Sequence, residues 1–321
     1  MSFISIVMGS YNEEANLLEV YERVSGVMAE KLPHYSYEII IIDNASTDGS
    51  VDVLRRICAA DKHVKVIVNT RNFGHIRSPY HALLNASGEA AIIMASDLQD
   101  PPEMIPDFVR KWEDGFKIVL AQKTNSKESS LFWLVRRAYY NLITRLSEIE
   151  LIENATGFGL YDRKVLDTIR EIDDPYPYFR GLICELGYSR AVIPFEQPAR
   201  KRGITKNNLY TLYDNAMLGI TNHSKVPLRL AAFLGFCLGF LSFLVAFAYL
   251  VYKLLFWSRF QLGTAPIIIG IFFFAAVQLF FIGILGEYIG SIHTQVLRRP
   301  RVIEKERINF EDSSTHTSGT S

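Results

Sequence analysis

The stretch Glu38-Ile39-Ile40-Ile41-Ile42-Asp43-Asn44-Ala45-Ser46-Thr47-Asp48-Gly49-Ser50 decides the fold. Its apolar run is short and unbroken, as in a strand buried on both faces, and it is bounded by a dense polar turn. Ser50–Ala60 then carries helical patterning. Asp and Ser in the turn can cap that helix, and Gly49 suits the turn itself. Capping accounts for Ser46 or Asp48. It does not require Asp43 at a strand terminus, where a carboxylate suits the edge of a base or a ribose.

The same unit recurs on either side. Phe3–Met8 reads as a strand, followed by Gly9-Ser10-Tyr11-Asn12-Glu13-Glu14 and a helix to about Lys31. Lys65–Val68 is a strand, followed by Asn69-Thr70-Arg71-Asn72-Phe73-Gly74 and a helix over Arg77–Ala86. Ala90–Met94 is a strand, followed by Ala95-Ser96-Asp97-Leu98-Gln99-Asp100-Pro101-Pro102-Glu103, and Ile118–Ala121 is another strand. This alternation predicts a largely parallel α/β sheet with helices on both faces. Ligands of such sheets bind beyond the carboxyl ends of the strands, where the four polar clusters fall. Arg71 suits a phosphate. Asp97, Gln99 and Asp100 offer hard oxygens suited to Mg²⁺ or Mn²⁺ beside a diphosphate. Pro101 and Glu103 also fit a plain helix start. One such cluster is ordinary turn chemistry; four at successive strand ends point to a ligand site.

The chain has 321 residues, with 34 basic and 34 acidic side chains. A zero balance argues against a bulk nucleic-acid binder. Cys58, Cys184 and Cys237 are too few and too scattered for a disulfide framework or a four-ligand zinc site, and fit a reducing compartment. The charge is unevenly spread: Leu230 to Leu285 carries only Lys253 and Arg259. Leu230–Tyr252 and Leu262–Leu285 are uncharged, and each is long enough to cross a hydrocarbon core of ~30 Å. Lys225 and Arg229 precede the pair, and Arg298, Arg299, Arg301, Lys305 and Arg307 follow it. That bias predicts both ends in the cytoplasm and a short outer loop, with Trp257 as an interfacial aromatic and Glu287 as an interfacial charge. Leu209, Leu212, Tyr213, Ala216, Met217 and Ile220 form one apolar helical stripe. The stripe fits an in-plane membrane helix, and equally a helix packed on the soluble domain or on a second subunit. The residues after Phe310 have the composition of a disordered tail.

Taken together, Ser10-Tyr11-Asn12-Glu13, Asp43 to Gly49, Arg71-Asn72-Phe73-Gly74 and Asp97-Leu98-Gln99-Asp100-Pro101-Pro102-Glu103 resemble a family 2 glycosyltransferase of the polyprenyl-phosphate type. The resemblance covers about residues 3–230, and the two spans match the bacterial membrane-anchored members. It implies a GT-A fold over residues 1–205, an amphipathic helix over 206–228, a two-helix transmembrane hairpin over 229–289 and a cytosolic tail over 290–321. It implies that Ser10, Tyr11, Glu13 and Asp43 hold the nucleotide, with Arg71 and Asn72 closing on it, and that Asp97 and Gln99 face Mg²⁺ or Mn²⁺. The family often has Asp-x-Asp where this chain has Ala95-Ser96-Asp97, so the first acidic position is missing. That departure leaves open a metal held by Asp97, Gln99 and the donor diphosphate alone, or a non-catalytic sugar-nucleotide module. A processive polysaccharide synthase is disfavoured, because a Gln-x-x-Arg-Trp motif is missing and there are only two spans.

On the acceptor side, Arg136 and Arg137 lie in the helical run Leu131–Ser147. Thr156 to Arg163 resembles the family's segment beneath the acceptor. Arg200-Lys201-Arg202-Gly203-Ile204-Thr205-Lys206 is a basic loop suited to anionic lipid or to one lipid phosphate bound by Arg202 and Lys206. The expected activity is inverting transfer from a nucleotide-sugar, UDP-linked by resemblance, to a polyprenyl phosphate at the cytosolic face of a bacterial inner membrane. Asp97, Asp100 and Arg202 are the candidate catalytic residues, Asp100 serving as acceptor orienter or base, or merely capping a helix. Whether the chain self-associates is left open.

Overall fold

The computed structural model describes residues 2–124, 152, 154–198, 217–222, 224–256 and 264–310. These fall into two compact units. The first is an eight-stranded sheet: β1 (Phe3–Ser10), β2 (Ser36–Asp43), β3 (Val64–Asn69), β4 (Ala90–Ala95), β5 (Ile118–Lys123), β6 (Ala155–Asp162), β7 (Arg190–Phe195) and β8 (Glu304–Ile308). The order is β7-β5-β6-β4-β1-β2-β3-β8. β4, β1, β2 and β3 are mutually parallel. β6 runs antiparallel to both β4 and β5, β5 pairs parallel with β7, and β8 runs antiparallel to β3. The expected parallel sheet is therefore present as four central strands with mixed edges.

The Ile39–Ile42 run is fully buried, because helices cover both faces. Ile39 and Ile41 join one core with Leu17, Val20 and Val24 of α1 (Glu14–Lys31), Leu54 and Ile57 of α2 (Ser50–Ala60), and Phe108 of α4 (Ile105–Glu113). Ile40 and Ile42 join the other with Tyr80 and Leu83 of α3 (Gly74–Leu84), Leu166 and Ile169 of α5 (Arg163–Ile172), and Leu182 of α6 (Phe179–Glu185). Each fully buried isoleucine contributes ~1.5–3 kcal/mol by leaving water. α3 begins three residues earlier than the sequence pattern suggests, at Gly74, whose φ of +90° an L side chain would resist. Gly9 lets α3 approach β1, since a Cβ there would sit 2.7 Å from Cγ of Pro79.

Part of the segment read as a tail belongs to this sheet. Glu304–Ile308 alternates half-buried and exposed residues along β3. His81 Nε2 meets Glu304 Oε1 at 2.6 Å, and Asn309 Nδ2 donates to the carbonyls of Cys58 and Val64, both at 2.8 Å. The charged alternation of Glu-Lys-Glu-Arg conceals the strand in the sequence; it is also how an edge strand resists further pairing.

The second unit contains α7 (Val226–Leu255) and α8 (Thr264–Val296). Their most apolar portions have mean hydropathies of 2.4 and 1.9, long and apolar enough to cross a membrane. α8 continues well beyond the apolar run that ends at Leu285 and carries Glu287 within the helix. Phe236, Phe240, Phe243, Phe272 and Phe280 are exposed, a surface unsuited to water. Tyr288 Oη donates to the Ser224 carbonyl at 2.7 Å, tying α8 to the residues just before α7.

Candidate functional site

The chain runs β1–β2–β3 to one side and then returns to β4 on the other side of β1. The reversal makes the carboxyl ends of β1 and β4 a topological switch point, where the connecting turns diverge and leave a crevice.

The four turns at these ends are hydrogen-bonded in series. From β4 to β1, Ser96 Oγ donates to the Gly9 carbonyl at 2.9 Å. From β1 to β2, the Asn12 N–H donates to Ser46 Oγ at 2.9 Å, the Thr47 N–H to Asn12 Oδ1 at 2.8 Å, and the Glu13 N–H to Ser50 Oγ at 3.0 Å. From β2 to β3, Asn44 Nδ2 donates to Asn72 Oδ1 at 2.9 Å. Three of these turns hold a non-glycine residue in the left-handed region: Asn12 (φ 56°), Ala45 (φ 61°) and Leu98 (φ 63°). Ala45 and Leu98 have no side-chain hydrogen bond to offset that conformation, and such strain concentrates at functional sites. Gly49, by contrast, has an ordinary φ of −75°. Its lack of a side chain makes room for Glu14, whose Oε2 accepts the Gly49 N–H at 3.0 Å.

Ser10 is buried at the end of β1, and its hydroxyl has no hydrogen-bond partner among the described residues. Tyr11 is half-buried in the next bend. Glu13 precedes α1, and its Oε2 accepts from Asn16 Nδ2 at 2.6 Å. Asp43 is fully buried and accepts the Ser46 N–H at 2.9 Å and Ser46 Oγ at 2.5 Å. Burial pushes its carboxyl above the ordinary range, although the Ser46 bonds oppose the rise. Asp48 stands one residue before Gly49, the N-cap of α2, and accepts the Ser50 N–H at 3.0 Å and the Glu14 N–H at 3.3 Å. Arg71 is exposed, with its guanidinium 4.1 Å from the centre of the Phe73 ring.

After β4, Asp97 and Gln99 are half-buried, and Asp97 Oδ1 accepts the Gln99 N–H at 3.1 Å. Asp100 is 6% exposed. It caps no helix: its Oδ2 turns back to accept the Ala95 N–H at 2.8 Å and closes the turn that carries Asp97 and Gln99. Burial pushes Asp100 up to about 7, and the nearby charge of Asp97 adds to the rise. Glu103 lies in a short 3-10 turn and pairs with Arg23 at 2.7 Å.

No group of three or more His, Cys, Asp or Glu side chains able to hold a metal occurs among the described residues. Asp97 and Gln99 together offer a carboxylate and an amide carbonyl two residues apart on one closed turn. Both are hard oxygen donors, and Mg²⁺ or Mn²⁺ bound to a substrate phosphate needs only one or two such groups from protein. The donor set therefore fits a metal that shares its coordination with a diphosphate.

The predicted nucleotide and metal residues thus lie on one row of linked turns. Arg136, Arg137, Arg202 and Lys206 lie outside the described residues, as does most of the apolar stripe before α7. The sequence reading did not single out Asn12, Asn44, Ser46 and Ser96 as the groups that link the turns. The available signal was small polar side chains just past each strand, which suit turn hydrogen bonding. A cleft of about 800 Å³ runs between α1 and α2, lined by Leu18, Tyr21, Val53 and Arg56. It reaches the row at Asn12, Glu13, Glu14 and Asp48, and Asp97 is not in its lining.

Residues 5–170 match the family described as Glycosyl transferase family 2. The chain is 32% identical over 309 residues to the uncharacterized glycosyltransferase YkcC of Bacillus subtilis, covering 96% of this chain and 95% of that protein. It is 32% identical over 304 residues to the SfII prophage-derived bactoprenol glucosyl transferase of Shigella flexneri, covering 94% of this chain and 97% of that one. Among solved structures, glucosyl-3-phosphoglycerate synthase from Mycobacterium tuberculosis, in complex with Mn²⁺, uridine diphosphate and phosphoglyceric acid, matches with a TM-score of 0.45. That match has 18% identity and covers 68% of this chain and 76% of the other.

Proposed function

Because the chain belongs to glycosyl transferase family 2, we propose that this glycosyltransferase moves a sugar from a UDP-sugar onto a polyprenyl phosphate at the cytosolic face of a bacterial inner membrane. One observation carries the reading. The likeness to a bactoprenol glucosyl transferase runs over 94% of this chain, so it takes in the sheet and both long apolar helices. A polyprenyl tail lies in the bilayer with its phosphate at the interface, and an enzyme anchored by two spans keeps its site at that plane.

In this reading the donor lies across the carboxyl ends of β1 to β4. Asp43 and Ser10 meet the nucleoside, Tyr11 and Glu13 line it, and Arg71 and Asn72 close on the diphosphate. Asp97 and Gln99 would hold Mg²⁺ or Mn²⁺, which when bound neutralises charge on the departing diphosphate. Arg71 acts on the same charge by electrostatic stabilisation. A phosphate monoester has a second pKa of ~6 and is largely ionised at neutral pH, so the acceptor needs orienting more than deprotonating. Arg136, Arg137, Arg202 and Lys206 are the residues we assign to that task. Direct attack by the lipid phosphate on the anomeric carbon breaks the bond to the nucleotide in one displacement and inverts the centre. Asp100 is buried on the Ala95 amide, so we assign it to holding the Asp97 turn instead of taking a proton from the acceptor.

Radiolabelled sugar supplied as a UDP-sugar tests the reading. The label is expected to enter an organic-extractable lipid only when polyprenyl phosphate is added. Arg202→Ala is expected to weaken use of that acceptor while leaving the donor KM unchanged. Retained nucleotide binding with no transfer from any donor of a panel would instead favour a non-catalytic sugar-nucleotide module.

A further inference from the structure

Asn44 follows Asp43 at the end of β2 and is 5% exposed. Its backbone N–H donates to the Ser10 carbonyl at 2.9 Å, holding β2 to the end of β1. Its side chain uses all of its hydrogen-bonding capacity on the neighbouring strand end. Oδ1 accepts the Phe73 N–H at 2.8 Å, Asn69 Nδ2 at 3.1 Å and Ser78 Oγ at 3.1 Å. Nδ2 donates to Asn72 Oδ1 at 2.9 Å and to the Gly74 carbonyl at 3.1 Å. Two of these partners fix the orientation of the amide, because a backbone N–H can only donate and a backbone carbonyl can only accept. Asn69 and Ser78 are themselves 1% exposed, so the knot is anchored in β3 and α3.

The Asn72–Gly74 turn has two further holds: the Arg71 guanidinium donates to the Asn72 carbonyl at 3.2 Å, and the Phe73 side chain is buried. Asn72 Oδ1 also accepts the Gly74 N–H at 2.8 Å, a bond within the turn itself. The Phe73 ring lies under the Arg71 guanidinium at 4.1 Å. Two paths therefore run from the Asn44 amide to Arg71, one through the Phe73 backbone and ring and one through Asn72, whose carbonyl accepts from the guanidinium.

We infer that Asn44 is a positioning residue of the donor site, fixing the Asn72–Gly74 turn and, through Phe73 and the Asn72 carbonyl, the guanidinium of Arg71. The inference rests on the donor reading above, in which Arg71 meets the diphosphate. A carboxylate at position 44 keeps the shape and the acceptors but loses both N–H donors, facing acceptor against acceptor at Asn72 and Gly74. Alanine loses every bond.

The test is calorimetric titration of the full chain in detergent with UDP and with GDP, each with Mg²⁺, using the tighter nucleotide thereafter. Asn44→Ala, Asn44→Asp and Arg71→Ala are each expected to weaken binding about tenfold, as when a single charge-assisted hydrogen bond to the ligand is removed or misaligned. The double variant Asn44→Ala with Arg71→Ala is expected to bind within about twofold of Arg71→Ala alone, since groups acting through one another are not additive. Asn44→Asp opens no cavity and serves if the alanine variant fails to fold. Multiplied losses in the double variant would overturn the inference. So would unchanged binding in both Asn44 variants with only a lower unfolding temperature, which is the mark of a purely structural role. If Arg71→Ala binds nucleotide normally, or the wild type binds neither nucleotide, the donor reading itself fails and the inference falls with it.

Discussion

β2 carries two buried carboxylates, Glu38 near its start and Asp43 at its end, and the protein treats them in opposite ways. Glu38 is saturated. Lys65 Nζ pairs with it at 2.7 Å, Ser5 Oγ donates at 2.5 Å, and the Ser87 hydroxyl and N–H donate at 2.6 and 2.8 Å. Burial alone would raise its carboxyl, but these partners outweigh burial and hold it below the usual glutamate range. At the other end burial prevails, and Asp43 and Asp100 are both pushed up. The Ser10 hydroxyl is unpartnered among the described residues, and three turns hold non-glycine residues at positive φ. One end of the sheet is therefore finished as structure. The other carries desolvation and strain that a bound ligand could relieve.

The largest expected effect that could break this contrast is at the strained end. Asp97→Ala should lower transfer by about 10²–10³-fold, the loss typical of one electrostatic stabiliser, with little change in unfolding temperature. Wild-type activity would remove Asp97 from the site. At the finished end, Lys65→Met leaves Glu38 buried without its cation. It should cost about 3 kcal/mol of stability in denaturant unfolding while the donor KM of the folded protein stays unchanged. An altered KM would mean that the two ends are not separable.

The two ends also differ in the sign of their pH dependence. A lowered pKa at Glu38 contributes stability that is present above the ordinary glutamate value and is lost as pH falls through its folded pKa. A raised pKa at Asp100 does the reverse: its contribution is complete below the ordinary aspartate value and is lost as pH rises to about 7. Asn at position 100 can still accept the Ala95 N–H. Asp100→Asn should therefore gain stability over the wild type between pH 4 and pH 8, by on the order of 2–4 kcal/mol, in unfolding followed across that range. A constant difference would contradict the burial of an ionisable group there. The smallest effect is at Ser10. Ser10→Ala removes a buried, unpaired hydroxyl and should raise stability by about 1 kcal/mol while raising the donor KM a few-fold. A fall in both would mark Ser10 as structural.

The central strands and their polar turns were legible because Ile39–Ile42 and its counterparts are buried on both faces, leaving continuous apolar runs with sharp polar ends. The residues that interlock the turns were not. Asn12, Asn44, Ser46 and Ser96 act across the gaps between strands, and sequence separation does not encode which turns are neighbours. β8 was hidden for a different reason: an edge strand faces water on one side, and Glu304–Ile308 has the alternating charge of a solvated segment. The left-handed residues Ala45 and Leu98 could not be foreseen, since alanine and leucine give no local signal of positive φ. Gly49 suggested a turn by composition, whereas it serves a close approach by Glu14.

The central claim is that the strained end of the sheet delivers one sugar to a lipid phosphate. Mass measurement of the lipid after incubating the full chain with undecaprenyl phosphate, Mg²⁺ and a UDP-sugar panel tests it most directly. The predicted result is a lipid monophosphate heavier by a single sugar residue, with one UDP released per lipid converted. UDP release with the lipid mass unchanged, or sugar joined into a polymer, would contradict it.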